Sequence, residues 1–122
     1  MKTAWEKFQS ATLCLARSGG IKERLTEAYR NYLALVAEED LPKEVREDFR
    51  AVSRALTRER PVLRGEDAFR ATIRKMSNDE ADQIASSVVL IFAAIPRSYT
   101  PVMRSMSSAQ VVPLYLAEVA EA

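Results

Sequence analysis

Apolar residues recur every three or four positions along most of this chain, and no segment shows the strict apolar–polar alternation of a half-buried strand. Three glycines and five prolines lie mostly between the periodic segments and divide the chain into about six pieces. Such spacing is typical of amphipathic helices separated by turns. The sequence therefore predicts an all-α protein, a compact bundle or an orthogonal array of about six helices.

The chain length of 122 residues falls within the range of one domain, and no linker or internal repeat divides it. We predict a single helical domain over residues 1–122. A short helical chain often completes its core by pairing with a copy of itself, so a homodimer is one expected assembly.

Capping residues and helix breakers predict where the helices begin and end. Thr3 and Glu6 form a capping box for helix 1, and Ser77 with Glu80 forms another for helix 5. Glycine and proline mark most of the other ends. The predicted helices are helix 1 from Thr3 to the 18–20 turn, helix 2 over 21–38, helix 3 from Pro42 to Arg60-Pro61, helix 4 from 65–67 to Met76, helix 5 from Ser77 to Pro96, and a last helix over 109–121.

The apolar faces of these helices predict the core. Helix 2 contributes residues at helical spacing, namely Leu25, Ala28, Tyr29, Tyr32, Leu35 and Val36. Cys14, between two leucines of helix 1, is expected to be a small buried residue rather than a reactive thiol. Residues 89–95 are apolar on all sides, so they are predicted to be the most buried stretch or the seam of a dimer.

Helix 3 carries the most informative charge pattern. Val45, Phe49, Val52 and Leu56 fall within one narrow arc, which we assign to the core. On the opposite side, interrupted by Glu47, lies a row of five cations that we call the basic strip: Lys43, Arg46, Arg50, Arg54 and Arg58. Arginine's planar fork suits carboxylate and phosphate. The strip is our candidate contact for a protein partner or a phosphate group, and a solvated helix face is the plainer interpretation.

The charge of the chain is polarised although its net value is only +1. Residues 43–75 contain ten basic and six acidic side chains, whereas residues 76–122 contain two and five. Any electrostatic function must therefore be local. Binding of nucleic acid through the basic strip is the alternative to a protein partner, although no aromatic residue is interleaved with the strip to stack on bases.

A second candidate contact follows helix 5. Tyr99, Met103 and Met106 lie in a segment predicted to be irregular, over residues 97–108. Flexible thioethers and an aromatic ring could form an adaptable apolar surface there. Packing of these side chains over the core is the competing interpretation.

Catalytic chemistry has little support. The chain has no histidine and one cysteine, which excludes Ser-His and Cys-His nucleophile pairs and a thiolate metal cluster. We predict no enzyme activity, no cofactor and no metal site. The acidic pairs Glu44 and Glu47, and Asp79 and Asp82, leave a Mg²⁺-dependent hydrolase as a less favoured alternative.

The N-terminus lacks the charged start and apolar core of a signal peptide, and the longest apolar run has eight residues against the ~20 needed to cross a bilayer. We therefore expect a cytoplasmic location and no membrane partner. Together these features predict a small protein-interaction protein, an adaptor or regulator.

Overall fold

The computed structural model describes residues 2–101, and this part of the chain contains five α-helices and two 3₁₀ turns but no strand. The helices are α1 (Ala4–Leu15), α2 (Ile21–Asn31), α3 (Lys43–Leu56), α4 (Ala68–Lys75) and α5 (Asn78–Ala94), with 3₁₀ turns at Leu33–Leu35 and Glu38–Asp40. The all-α prediction is confirmed. The predicted count of about six helices is not, because there are five here and the helix predicted over 109–121 lies outside the described residues.

Local signals place the ends of α1 and α5. The Thr3 hydroxyl accepts from the Glu6 backbone N–H, and the Glu6 carboxylate accepts from the Thr3 N–H at 2.9 Å, so the predicted capping box is complete. At α5 the Ser77 hydroxyl accepts from the Glu80 N–H. The Glu80 carboxylate instead binds Arg58, which follows the end of α3, so tertiary pairing replaces the second half of that box.

The prediction of one long helix over 21–38 is wrong. Helix α2 ends at Asn31, and Tyr32 leaves the helical region before the chain turns through Leu33–Leu35. This break allows Leu33, Val36 and Leu41 all to reach the core. Leu35, predicted to be a core residue, is instead 62% exposed. Burial of Leu33, Val36 and Leu41 therefore outweighs the helical preference that the spacing of apolar residues indicated after Asn31.

Helix α3 is shorter than predicted. Pro42 is its N-cap rather than its first residue, and it ends at Leu56, well before Arg60-Pro61. The Thr57 hydroxyl donates to the Ser53 carbonyl in the last turn, which satisfies one of the carbonyls left without a helical partner. The chain from Thr57 to Asp67 is consequently a loop, and Asp67 caps α4.

All five helices contribute to one cluster of buried apolar side chains. The predicted inner face of α3, from Val45 to Leu56, lies in this cluster, and so does Cys14. Phe8 of α1 is fully buried and meets the Phe49 ring edge-on at 5.9 Å. Tyr29 and Tyr32 pack against the cluster while remaining partly exposed, as predicted.

Burial of the second half of α5 is one-sided. Val88, Ile91 and Ile95 are buried, but Val89 is 39% and Leu90 69% exposed. Helical geometry allows this helix to turn only one face toward α1, α2 and α3. The expectation that 89–95 is the most buried stretch is therefore wrong, and a homodimer at this face stays a prediction. Within residues 2–101, no helix is both long enough and apolar enough to span a bilayer.

Candidate functional site

The basic strip faces outward, as the arc of buried residues on α3 requires. Four of its members are exposed and Arg46 is partly buried. Arg46 donates to backbone carbonyls, from Nε to Leu41 at 2.9 Å and from Nη2 to Glu39 at 3.4 Å. These hydrogen bonds hold the segment from Glu39 to Leu41 against the first turns of α3.

Neighbouring carboxylates pair with the arginines in the middle of the strip. Arg50 binds Glu38, and this contact raises the pKa of its guanidinium. Arg50 Nη1 also lies 2.6 Å from the Glu47 carboxylate, whose other oxygen is 3.4 Å from Arg54. Glu47 interrupts the strip, as predicted, whereas Glu38 comes from the preceding 3₁₀ turn, which the spacing on α3 did not indicate. The negative charges of Glu38 and Glu47 therefore neutralise much of the positive charge of Arg50 and Arg54.

Arg58, predicted on helix 3, lies just beyond the end of α3 and connects the start of the 57–67 loop to α5. Its Nη2 donates to Glu80 Oε1 at 2.9 Å, and its Nε lies 3.4 Å from Glu59. The hydrogen bond to Glu80 raises the pKa of Arg58, and the same contact lowers the pKa of Glu80. Arg58 therefore has a structural role in addition to any contact with a partner.

Most of the positive charge without a nearby carboxylate lies beyond the basic strip. In the described part of the chain, no carboxylate oxygen lies within 4.0 Å of the side-chain nitrogens of Lys43, Arg60, Arg64 or Arg70. Three of these cations are in or near the 57–67 loop. The same loop exposes two apolar side chains, Val62 at 67% and Leu63 at 55%.

A solvent-open cleft of about 510 Å³ lies between α2, this loop and α4, and we call it the arginine cleft. Residues four apart on each helix share a face, which brings Thr26 and Arg30 of α2 opposite α4. The lining combines four arginines with one carboxylate and an apolar surface: Arg30, Arg64, Arg70, Arg74, Glu66, Thr26, Gly65, Leu63, Phe69 and Ile73.

Two of the four cleft arginines are held by carboxylates. Arg74 donates to Glu66 at 2.7 and 3.1 Å, and this contact is the main reason that the pKa of Glu66 falls to about 2. Arg30 Nη2 donates to Asp67 at 3.0 Å, and its guanidinium lies 5.1 Å from the centre of the Phe69 ring. The pKa of Asp67 is lowered, first by the Arg70 backbone N–H and then by Arg30.

Sequence reasoning missed this cleft. The run of Arg60, Arg64, Arg70 and Arg74 after helix 3 was visible as charge. Nothing in the local pattern, however, indicated that Arg30, more than thirty residues earlier, would line the same cleft. The acidic residues near these arginines were also visible in the sequence, but only the fold shows which arginine each of them neutralises.

The other candidate residues divide into three groups. Tyr99 is partly buried and packs against the core, whereas Met103 and Met106 lie outside the described residues. Among residues 2–101, no three potential metal ligands cluster, so the pairs Glu44–Glu47 and Asp79–Asp82 are not part of a carboxylate cage. Cys14 is 1% exposed.

No protein-family model, curated protein or solved structure matches this chain at a significant level. No relationship of that kind therefore assigns a role to the strip or to the cleft.

Proposed function

We propose that this chain is a non-catalytic interaction protein, an adaptor or regulator, that binds an acidic segment of another protein through the basic side formed by residues 43–75. The observation that carries the proposal is the group of cations on this side that have no carboxylate oxygen within 4.0 Å among the described residues, namely Lys43, Arg60, Arg64 and Arg70. A carboxylate from a partner would supply the missing counter-charge.

The paired arginines of the strip belong to the same surface. Arg50 and Arg54 are 46% and 65% exposed in their side chains, and ion pairs at such sites contribute little to stability. A partner's carboxylate can therefore exchange with Glu47 at small cost. Tyr99 is left out of the proposed contact because its ring packs against the core.

A protein partner accounts for this surface better than nucleic acid does. Glu44, Glu47 and Asp48 lie on the same helix as the strip and would repel a continuous row of phosphates. Exposed Val62 and Leu63 next to the cations offer apolar contacts that a partner side chain can use and a phosphate backbone cannot.

Selection of peptides from a random displayed library against the purified protein tests the proposal. We expect enrichment of peptides rich in aspartate and glutamate, with affinity that falls as salt is raised from ~50 to ~300 mM. The double variant Arg54→Glu/Arg64→Glu should weaken binding by about tenfold or more.

The matched control is Lys2→Glu/Arg17→Glu, which makes the same change of net charge at the two ends of α1 and should leave affinity nearly unaltered. Selected peptides without acidic character, or equal losses in the two double variants, would contradict the proposal. If the protein retards labelled duplex or single strands in a gel but binds no acidic peptide, the nucleic-acid alternative replaces it.

A further inference from the structure

The arginine cleft combines two kinds of surface that are separate elsewhere on the basic side. Arg64 and Arg70 supply positive charge with no carboxylate oxygen within 4.0 Å in the described residues, and Leu63, Phe69 and Ile73 supply an apolar lining. The four arginines and Glu66 give the lining a net charge of +3, and the charge is +2 when Asp67, which pairs with Arg30, is also counted. The cleft therefore favours a ligand that is both anionic and apolar.

We infer that the arginine cleft is a peptide-docking site that takes one aliphatic or aromatic side chain flanked by carboxylates. This inference rests on the proposed function and names the part of the basic side that anchors the partner. The apolar side chain contacts Leu63 and Ile73, while the carboxylates on either side meet Arg64 and Arg70.

The shape of the cleft favours a peptide over a small metabolite. A small ligand normally has most of its surface enclosed, whereas this cleft is open to solvent along its rim. An extended peptide gains from such a site because it contacts the cleft with one side chain and the rim with its neighbours.

Concavity also favours a peptide over an anionic membrane. Phe69 is buried, and Ile73 is partly covered between α2 and α4. A flat bilayer contacts apolar side chains that protrude, such as Leu63, and leaves the covered part of Ile73 without contact. A single side chain inserted into the cleft contacts both.

The arginines proposed as anchors are suitable for substitution. Neither Arg64 nor Arg70 uses its side chain in a hydrogen bond or ion pair with the described residues, and both are exposed. Their reversal to glutamate therefore leaves the internal pairs Arg74–Glu66 and Arg30–Asp67 in place. Unchanged thermal melting of the variants verifies that the fold is retained.

The experiment compares two double variants of the full chain with equal charge change, using an acidic peptide from the selection above and fluorescence anisotropy. Arg64→Glu/Arg70→Glu should weaken binding by about thirtyfold or more, since two charge pairs are lost and two repulsions appear. Arg50→Glu/Arg54→Glu, in the basic strip, should weaken it by only about three- to fivefold, because these two arginines already pair with Glu38 and Glu47 and meet the outer part of the peptide.

Two further measurements separate the apolar part from the charge. Leu63→Ser and replacement of the peptide's apolar residue by serine should each cost about five- to tenfold in affinity, and should not add when combined. If the strip variant abolishes binding and the cleft variant retains it, the cleft assignment is overturned while the proposed function stands. If no acidic peptide binds the wild-type chain, both fail.

Discussion

Glu66 shows how a single side chain can order a loop and also line a cleft. Its carboxylate accepts from the Arg74 guanidinium and from the backbone N–H groups of Val62 and Leu63. Only 8% of its side chain is exposed, although it borders an open cleft. Glu66 therefore orders the loop between α3 and α4 and fixes one wall of the arginine cleft.

Replacement of this carboxyl should change the acid sensitivity of the protein. The pKa of Glu66 is about 2 in the folded chain against an ordinary value of 4.5, so its contribution is complete above pH 4.5 and is lost as the pH falls toward 2. In Glu66→Gln, unfolding should take up about one proton fewer over that interval. The slope of the free energy of unfolding against pH, from urea titrations, measures this difference.

Glu39→Gln is the matched control, because the Glu39 side chain makes no hydrogen bond or ion pair with the residues described. Its slope should equal that of the wild type. A wild-type slope in Glu66→Gln as well would show that the Arg74 contact does not persist in solution.

Helix α4 is fastened to the end of α3 by one buried hydroxyl. Thr72 is fully buried, donates to the Ala68 carbonyl at 2.8 Å and accepts from the Glu59 backbone N–H at 3.0 Å. The second bond satisfies a backbone group just beyond the end of α3. It thereby sets the start of the loop that carries Arg60, Arg64 and the apolar pair.

Thr72→Val preserves side-chain shape but leaves the Glu59 N–H without its partner, which should lower the free energy of unfolding by about 1–3 kcal/mol. Thr72→Ser retains the hydroxyl and should cost about 1 kcal/mol through the lost methyl group. Amide hydrogen exchange at Glu59 distinguishes the two, since it should accelerate in the valine variant alone. Equal exchange in both variants would refute this role of the hydroxyl.

The helices that the sequence predicted best are those defined by contacts within a few residues. The Thr3 capping box, the Ser77 cap and the inner face of α3 depend on local spacing, and the structure confirms them. Helix 2 was predicted too long because Leu33, Val36 and Leu41 are drawn into the core by distant helices. A periodicity argument contains no information about such contacts.

The candidate site was predictable to a smaller extent for the same reason. Spacing correctly placed the first four cations of the basic strip on the outside of α3, whereas Arg58 lies beyond the helix end. The neutralisation of the strip depends on Glu38 and Glu80, which approach from other segments. Likewise, the arginine cleft exists only because side chains of α2 and α4 meet, as the stacked rings of Tyr29 and Phe69 show. The charged residues could be counted from the sequence, but the ion pairs that they form could not be predicted from it.

The five helices depend on one shared core. Phe8 has no exposed surface and packs edge-on against Phe49 of α3. Lys22 of α2 adds a polar link by donating to the Met76 carbonyl, at the end of α4, at 2.9 Å. Removal of the Phe8 ring should therefore lower the stability of all five helices together.

Phe8→Ala should destabilise the protein by about 3–5 kcal/mol, a large part of the ~5–15 kcal/mol typical of a domain. Far-ultraviolet circular dichroism during urea titration should show a much lower midpoint. Leu90→Ala, at an exposed position of α5, should change stability by no more than about 0.5 kcal/mol. A loss below about 1 kcal/mol in Phe8→Ala would contradict the assignment of this ring to the centre of the core.

Cys14, the chain's one thiol, lies inside that core with 1% of its surface exposed. A maleimide cannot reach the sulfur until α1 separates from the helices that cover it. The rate of alkylation thus reports how often the native protein opens, without any engineered label. The native cysteine is therefore an intrinsic probe of the rate at which the core opens.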